Sequence, residues 1–330
     1  MRWNRLFRTC WLFVLLLVFG AGLGKTEEGA PDTPVSETSA SPEETAPLAV
    51  KHLLTLVGFA SDHPFRMPMG LFYDAEHDEL YVADTANDDV DVFTGAGEPR
   101  FRILSETDLV GPFDLAGCSR QIYVSQMERR GIVAFDFRGT TTQTFAAPGT
   151  GPSRPGRMAL GPDEMLYVAD RAGGTILVFD DEGNLQRRIG QKGDADGQFW
   201  LIAGVAVDDA GRVYATDSKR KRIQVFDADG SFLRSVGDSQ PGPLAFSFLG
   251  GIAVDAKHRV WVTDSFRHQV KVFDENWKLL LQFGGYGMDE ERFFFPVDLA
   301  LDEEGHRVYV LEKGTSRVQI FRIEEEPGDE

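Results

Sequence analysis

Cysteine is nearly absent from this 330-residue chain, with only Cys10 and Cys118. Two thiols so placed exclude a disulfide framework, so the fold must rest on packing. Cys118 reads as a small buried apolar residue. Histidine is also scarce. The six, His52, His63, His77, His258, His268 and His306, are scattered, and none shows a metal-ligand spacing. Basic charge is outnumbered, 34 Lys and Arg against 52 Asp and Glu, for a formal net charge of −18. That balance argues against general binding to nucleic acid, whose phosphates an acidic surface repels. No nucleophile elbow, Gly-rich phosphate loop or acid–base pair is found.

Only one long apolar run exists, from Trp11 to Leu23, preceded by Arg2, Arg5 and Arg8. Residues 1–24 therefore read as a signal peptide or signal anchor. Gly22 and Gly24 supply small residues for cleavage. Cys10 precedes the run and does not suit a lipoprotein cysteine. Residues 25–49 are rich in Pro, Ser, Thr and Glu and read as a disordered acidic spacer, reaching roughly 25–30 Å as a flexible coil. The expected location is extracytoplasmic, periplasmic or secreted, with anchoring to a membrane through residues 11–23 as an option. Residues 324–330 form an acidic tail.

What fills residues 50–323 is repetition. Six segments align without gaps: LYVADTANDDVDVF from Leu80, IYVSQMERRGIVAF from Ile122, LYVADRAGGTILVF from Leu166, VYATDSKRKRIQVF from Val213, VWVTDSFRHQVKVF from Val260 and VYVLEKGTSRVQIF from Val308. Each contains two β-rich runs around a polar loop, the pattern of a hairpin. A small-residue strand precedes each hairpin, as in GVAVD from Gly204. A further strand follows it, as in FLRSVG from Phe232. Four antiparallel strands per unit, six times over, predict an all-β, six-bladed β-propeller. The last unit stops after its third strand, at Phe321–Ile323. LLTLVG from Leu53 looks like a fourth strand. The N-terminal strand is thus expected to pair with the last blade and close the ring, removing its free edge.

The repeat IAGVAVDDAGRVYATDSKRKRIQVFDADGSFLRSVG resembles the NHL-repeat family of six-bladed propellers, of the bacterial exported type. The resemblance covers about residues 51–323 and is strongest in the fourth and fifth units. It implies the fold. It implies no single activity, because such propellers host ligases, lyases, lactonases and binding modules. The related peptidylglycine amidating lyase carries zinc-binding histidines near its inner strands. The corresponding stretches here read FWLIAG, SFLGG and FFFPVD, without histidine. Calcium-dependent lactonases of similar shape use an inner-strand Glu, and MPMGLFYD lacks one.

Recurring residues read as structural. Asp84, Asp170, Asp217 and Asp264 end the second strands, with Gln126 and Glu312 in the other two units. Carboxylates there suit backbone N–H groups of the adjoining loop. Tyr81, Tyr123, Tyr167, Tyr214, Trp261 and Tyr309 suit packing between blades, and Phe65, Phe199, Phe246 and Phe293 form another equivalent set.

Charge is sorted. Loops within the hairpins and between units share one face, the top. They carry Arg129, Arg130, Arg171, Lys219, Arg220, Lys221, Arg222, Arg267, His268 and Lys313, with Arg66, Arg154, Arg157 and Arg292 between units. The first unit departs, with Asp88 and Asp89. Bottom turns such as DDAG and DEEG are acidic. Trp200, Phe248, Phe294, Phe295, Met67 and Met69 add apolar groups to the top. Apolar anchors ringed by Arg are the composition of a binding surface. The reading is a monomeric, non-catalytic binding scaffold. It recruits a protein or anionic ligand through Arg171, Lys219, Arg220, Lys221, Arg222, Arg267, His268, Trp200, Phe248 and Phe294. No cofactor and no metal are expected. The alternative is a metal-dependent hydrolase or lyase with a site at the central channel.

Overall fold

Every sequence unit forms a four-stranded antiparallel sheet, and the six sheets form the blades of a propeller. The computed structural model describes residues 48–325, apart from 105–108, 119, 128–130, 138, 147–153, 239 and the side chain of Cys118. The expectations for Cys118, Arg129 and Arg130 fall outside the described residues. The blades' inner strands are Pro68–Asp74, Pro112–Cys118, Pro155–Leu160, Ile202–Val207, Leu249–Val254 and Pro296–Asp302. Second and third strands are almost wholly buried. In blade 4, for example, Val213–Asp217 and Arg222–Phe226 show no exposed position. Both faces of these strands pack against neighbouring blades, so alternation of apolar and polar residues is lost. It returns in outer strands such as Thr141–Ala146.

The core is divided into six wedges, one for each blade pair. Tyr81 of blade 1 packs among Leu115, Ile122 and Val133 of blade 2. Trp261 of blade 5 packs among Leu299 and Val308 of blade 6. Their polar tips are bonded. Tyr309 Oη donates to the Gly95 carbonyl at 2.9 Å, and Trp261 Nε1 donates to Asp255 at 2.9 Å. The second recurring aromatic set faces its own blade's third strand. Phe65, Phe199, Phe246 and Phe293 lie 5.6–6.0 Å from Phe93, Phe226, Phe273 and Phe321. Hydroxyls stitch blade to blade as well. Thr85 donates to the Pro112 carbonyl at 2.7 Å, Ser125 to Gly156 at 2.8 Å and Ser265 to Pro296 at 2.6 Å.

The ring closes through the N-terminal strand, which is longer than its sequence pattern suggests. Leu48–Leu56 pairs antiparallel with Arg317–Glu325, from Leu48 opposite Glu325 to Leu56 opposite Val318. Pairing shifts once, between His52 and Leu54. Leu48 therefore enters on the bottom face.

Inner strands carry a bulge two or three residues from their top ends, at Pro68/Gly70, Pro112/Asp114, Pro155/Met158, Ile202/Gly204, Leu249/Ile252 and Pro296/Asp298. A bulge re-aims side chains, and the third residue of each strand faces the axis. The six are Gly70, Asp114, Arg157, Gly204, Gly251 and Asp298. Arg157 was expected on the top surface, but it is only 5% exposed. Its Nη1 donates to Asp114 at 2.8 Å and to Asp298 at 2.7 Å, and its Nη2 donates to the Val297 carbonyl at 3.0 Å. The aspartates also accept backbone N–H groups, from Met158 at 2.6 Å and Leu71 at 2.9 Å. The glycines leave the room this needs. A Cβ on Gly70 would lie 2.7 Å from Asp114, and one on Gly251 would lie 2.1 Å from an Asp298 oxygen.

Burial pushes the Asp114 carboxyl up to about 7. The Arg157 guanidinium opposes this and the Asp298 charge adds to it. Asp298 is also raised, first by burial. Two expectations follow. Arg157→Leu leaves two buried carboxylates without their cation and should destabilise the fold by about 3–5 kcal/mol in urea unfolding. A raised carboxyl keeps in the folded state a proton that the unfolded chain loses. Its cost is therefore absent at low pH, grows from about pH 4, and is complete above about pH 7. The melting temperature should fall across that window, and the fall should be smaller in Asp114→Asn.

Candidate ligand-binding face

The top face is built on one repeated device. The residue ending each second strand accepts backbone N–H groups from the segment leading into the inner strand. Asp84 accepts from Arg66 at 2.8 Å, Asp170 from Arg154 at 3.0 Å, and Asp217 from Trp200 and Leu201 at 2.9 and 3.0 Å. Asp264 accepts from Ser247 and Phe248, Glu312 from Phe294, and Gln126 from Val110. These side chains are buried and fully engaged in shaping the loops. Four residues after them, each described hairpin loop has a left-handed residue: Asp88, Gly174, Lys221, His268 and Ser316. That conformation closes the tight loop and throws the preceding side chains outward.

The expected binding residues separate into two groups. Arg222 does not reach solvent, being 3% exposed. Its Nη2 donates to the carbonyls of Ala195 and Gln198, both at 2.8 Å, so it holds the loop before blade 4. The reading of Arg222 as a binding residue is corrected: the aliphatic neighbours of its strand carry it inside. Arg220 is paired with Asp194 at 3.2 Å, and Arg267 lies 3.5 Å from Asp264. His268 accepts from the Phe295 N–H at 3.2 Å through Nδ1, in the tautomer that leaves this nitrogen bare. Met69, expected at the top edge, is buried.

The second group faces outward. Lys219 and Lys221 are exposed. Lys219 Nζ lies 4.1 Å from the centre of the Trp200 ring, with Lys192 Nζ at 5.2 Å. Trp200 Nε1 donates to Asp194 at 2.6 Å, which fixes the indole. Beside it, Arg154, Arg171, Ala172 and Leu201 line an open depression of about 310 Å³. Arg171 stacks on Phe113 at 4.7 Å and Arg157 lies over the same ring at 5.3 Å. Burial lowers the Arg171 pKa, and the charges of Arg157 and Arg154 lower it further. Among the described residues neither Arg154 nor Arg171 has a carboxylate partner within 4 Å. Sequence patterning marked both as basic loop positions, but not that they converge.

Blades 5 and 6 contribute a continuous aromatic patch. Phe248 stacks on Phe266 at 4.9 Å, and Phe266 meets Phe295 at 5.8 Å. Phe295 meets Phe294 at 4.8 Å, and Tyr286 meets Phe294 and His268 at 5.6 and 5.1 Å. Phe266 and Tyr286 are 59% and 69% exposed, far above what a packing role requires. Neither was singled out in the sequence, because each sits alone in a polar loop.

The bottom face is less acidic than its sequence suggests. Asp74, Asp208, Asp255 and Asp302 turn inward and are at most 6% exposed. Asp208 caps its own turn through the Ala210 and Arg212 N–H groups and pairs with Arg212 Nε at 2.7 Å. Asp255 repeats the arrangement with Arg259.

Comparison with known proteins agrees with this architecture. Residues 160–236 match a family described as a 6-bladed beta-propeller, and residues 246–273 match the NHL repeat. No curated protein matches the chain. Among solved structures, a protein of unknown function from Bacteroides thetaiotaomicron aligns at TM-score 0.68 and 14% identity, over 84% of this chain and 76% of that one. Virginiamycin B lyase from Staphylococcus aureus aligns at TM-score 0.59 and 10% identity, over 83% of this chain and 99% of the lyase. A nidogen/laminin complex chain aligns at 0.54 and 18% identity, over 67% and 81%. Identities this low establish the shared fold alone.

Separating the two groups of basic residues has a measurable consequence. Arg222→Ala strands buried carbonyls and should cost about 2 kcal/mol in urea unfolding. Lys219→Glu and Lys221→Glu should each change stability by no more than about 0.5 kcal/mol.

Proposed function

We propose that this chain is an exported, non-catalytic binding scaffold whose top face captures an acidic segment of a protein partner. The observation carrying this reading is the convergence of Arg154 and Arg171 at the depression beside Trp200, without a carboxylate partner among the described residues. The Arg171 guanidinium, partly buried and stacked on Phe113, is weakly hydrated and holds a planar fork ready for a carboxylate, with the exposed Arg154 beside it. Trp200 with Lys219 extends the site, and the exposed Phe266 and Tyr286 supply apolar anchors on the same face. In a protein of formal charge −18, a local positive site selects its ligand by sign and steers its approach.

Export is supported by the three N-terminal arginines and the apolar run that follows. The ring-closing strand starts on the bottom, opposite the proposed site.

Fluorescence anisotropy with a labelled peptide of mixed Asp, Glu and aromatic residues tests the reading. The native protein should bind with an affinity that falls as salt rises. Arg154→Glu with Arg171→Glu should reduce binding by at least tenfold while circular dichroism shows the propeller still folded at the assay temperature. Equal binding by the double variant would refute this site.

A further inference from the structure

Blade 1 departs from the device by which blades 4, 5 and 6 hold their long preceding segments. In blades 4, 5 and 6, the first or third residue of the third strand is a buried cation that binds carbonyls of the segment before that blade. Arg222 serves blade 4, and Lys271 donates to Pro243 and Ala245 at 2.7 and 3.3 Å in blade 5. Arg317 donates to Met288, Asp289 and Arg292 at 2.6–3.0 Å in blade 6. The matching residues of blade 1 are Asp89 and Asp91. Both are carboxylates, 1% and 0% exposed.

Their oxygens are not satisfied. Both Asp91 oxygens and Asp89 Oδ1 are buried without a hydrogen-bond partner. Such groups are costly to bury unpaired, and more so when charged. What surrounds them is a donor set. His63, from the short hairpin formed by Gly58–Ala60 and His63–Pro64, places Nε2 3.0 Å from Asp89 Oδ2 and 3.9 Å from Asp91 Oδ1. One donor atom from each of His63, Asp84, Asp89 and Asp91 fits within a mutual distance of 4.8 Å. Ligands about 2.0–2.2 Å from a tetrahedral metal lie roughly 3.3–3.6 Å apart, inside the range seen here. Among the described residues Arg102 is the guanidinium at the cluster, with Nη1 3.2 Å from Asp89 and 3.1 and 3.3 Å from His63 Nδ1 and Nε2. Three carboxyl groups thus face one guanidinium. Asp84 already accepts from Arg66 N–H and Asn87 Nδ2, so it borders the set while Asp89, Asp91 and His63 form its core.

We propose that blade 1 binds one divalent transition-metal ion, of the zinc or manganese class, through Asp89, Asp91 and His63 Nε2. Mixed imidazole and carboxylate donors suit that class better than an all-oxygen calcium site. The ion takes the place of the strand-borne cation of blades 4–6. It pins the segment that links the ring-closing strand Leu48–Leu56 to the inner strand of blade 1. The site is therefore a staple at the seam where the ring closes.

The test uses the full chain, stripped with chelator and titrated with zinc or manganese. One of the two should bind at one ion per chain. At 100-fold excess over its Kd it should raise the melting temperature by roughly 5–10 °C. Asp91→Asn and His63→Ala should each weaken binding at least 100-fold and abolish the thermal gain. Asp91→Asn should still fold, because it removes a buried charge. Cobalt substitution should give visible d–d bands in the native protein that are lost in His63→Ala. Absence of stoichiometric binding of either metal overturns the proposal. So does metal binding that both variants leave unchanged, since the ion would then lie elsewhere.

Discussion

One guanidinium holds the centre of the ring. Arg157 leaves blade 3, crosses the axis and is shared by Asp114 of blade 2 and Asp298 of blade 6. Through Asp298 it is coupled to the Leu71 N–H of blade 1. Four blades thus meet at one buried cation, and of the axial glycines Gly70 and Gly251 are small because this cluster occupies the space. The remaining elements work outward from that constraint. The inner strands must be bulged to aim the third residue at the axis, and bulging makes the top end of each strand irregular. The irregular end then needs an acceptor for its free N–H groups, which Asp84, Asp170, Asp217, Asp264, Gln126 and Glu312 provide. Loop shape at the top face is therefore a consequence of packing at the centre.

A propeller has no common core, and that fact explains how its sequence tolerates variety. Each wedge is sealed by the aromatic residue of one blade entering the next, so a single blade can change its loops without disturbing the rest. The third strands show the result. Their first residue is Asp89, Gly131, Thr175, Arg222, Gln269 or Arg317, although all six strands are buried alike. In blades 4, 5 and 6 a cation or an amide in this strand binds carbonyls of the long segment before the blade. The polar side chain is specified by the loop it holds, not by the strand that carries it.

The fold was legible because its signals are local and repeated. Hairpins recur at nearly constant spacing, and a fourth strand missing at one end reappears at the other. The closing strand was read too short, since its first residues, Leu48–His52, carry no motif and are defined only by the partner strand. The axial cluster was not legible at all. Arg157 meets partners 43 and 141 residues away, and in sequence it is one more basic residue before a repeat. Arg222 failed for a related reason. It sits in a run with Lys219, Arg220 and Lys221, but it opens a third strand that is buried throughout, while Lys219 and Lys221 stay out on the loop. His63 has no ligand-like spacing to any other histidine, because its companions are carboxylates on a hairpin that follows it. The departure of blade 1, with Asp88 and Asp89, was visible as a break in a charge pattern. Only the structure shows that Asp88 caps the Gly111 N–H at 2.7 Å while Asp89 points inward.

The two faces owe their difference to how turns are made. Bottom turns use Asp to cap backbone N–H groups, and the negative charge that results is largely spent inside the molecule, often on a neighbouring Arg. Top loops obtain the same capping from a buried carboxylate at the end of the second strand. Their exposed positions are therefore free of any conformational demand for acid. Basic residues there meet no obligatory partner, and Arg154 and Arg171 show the outcome. A strongly acidic protein can in this way keep one unneutralised positive site. The asymmetry follows from the topology of the blade, which places the five second-strand carboxylates and the amide of Gln126 under the same face.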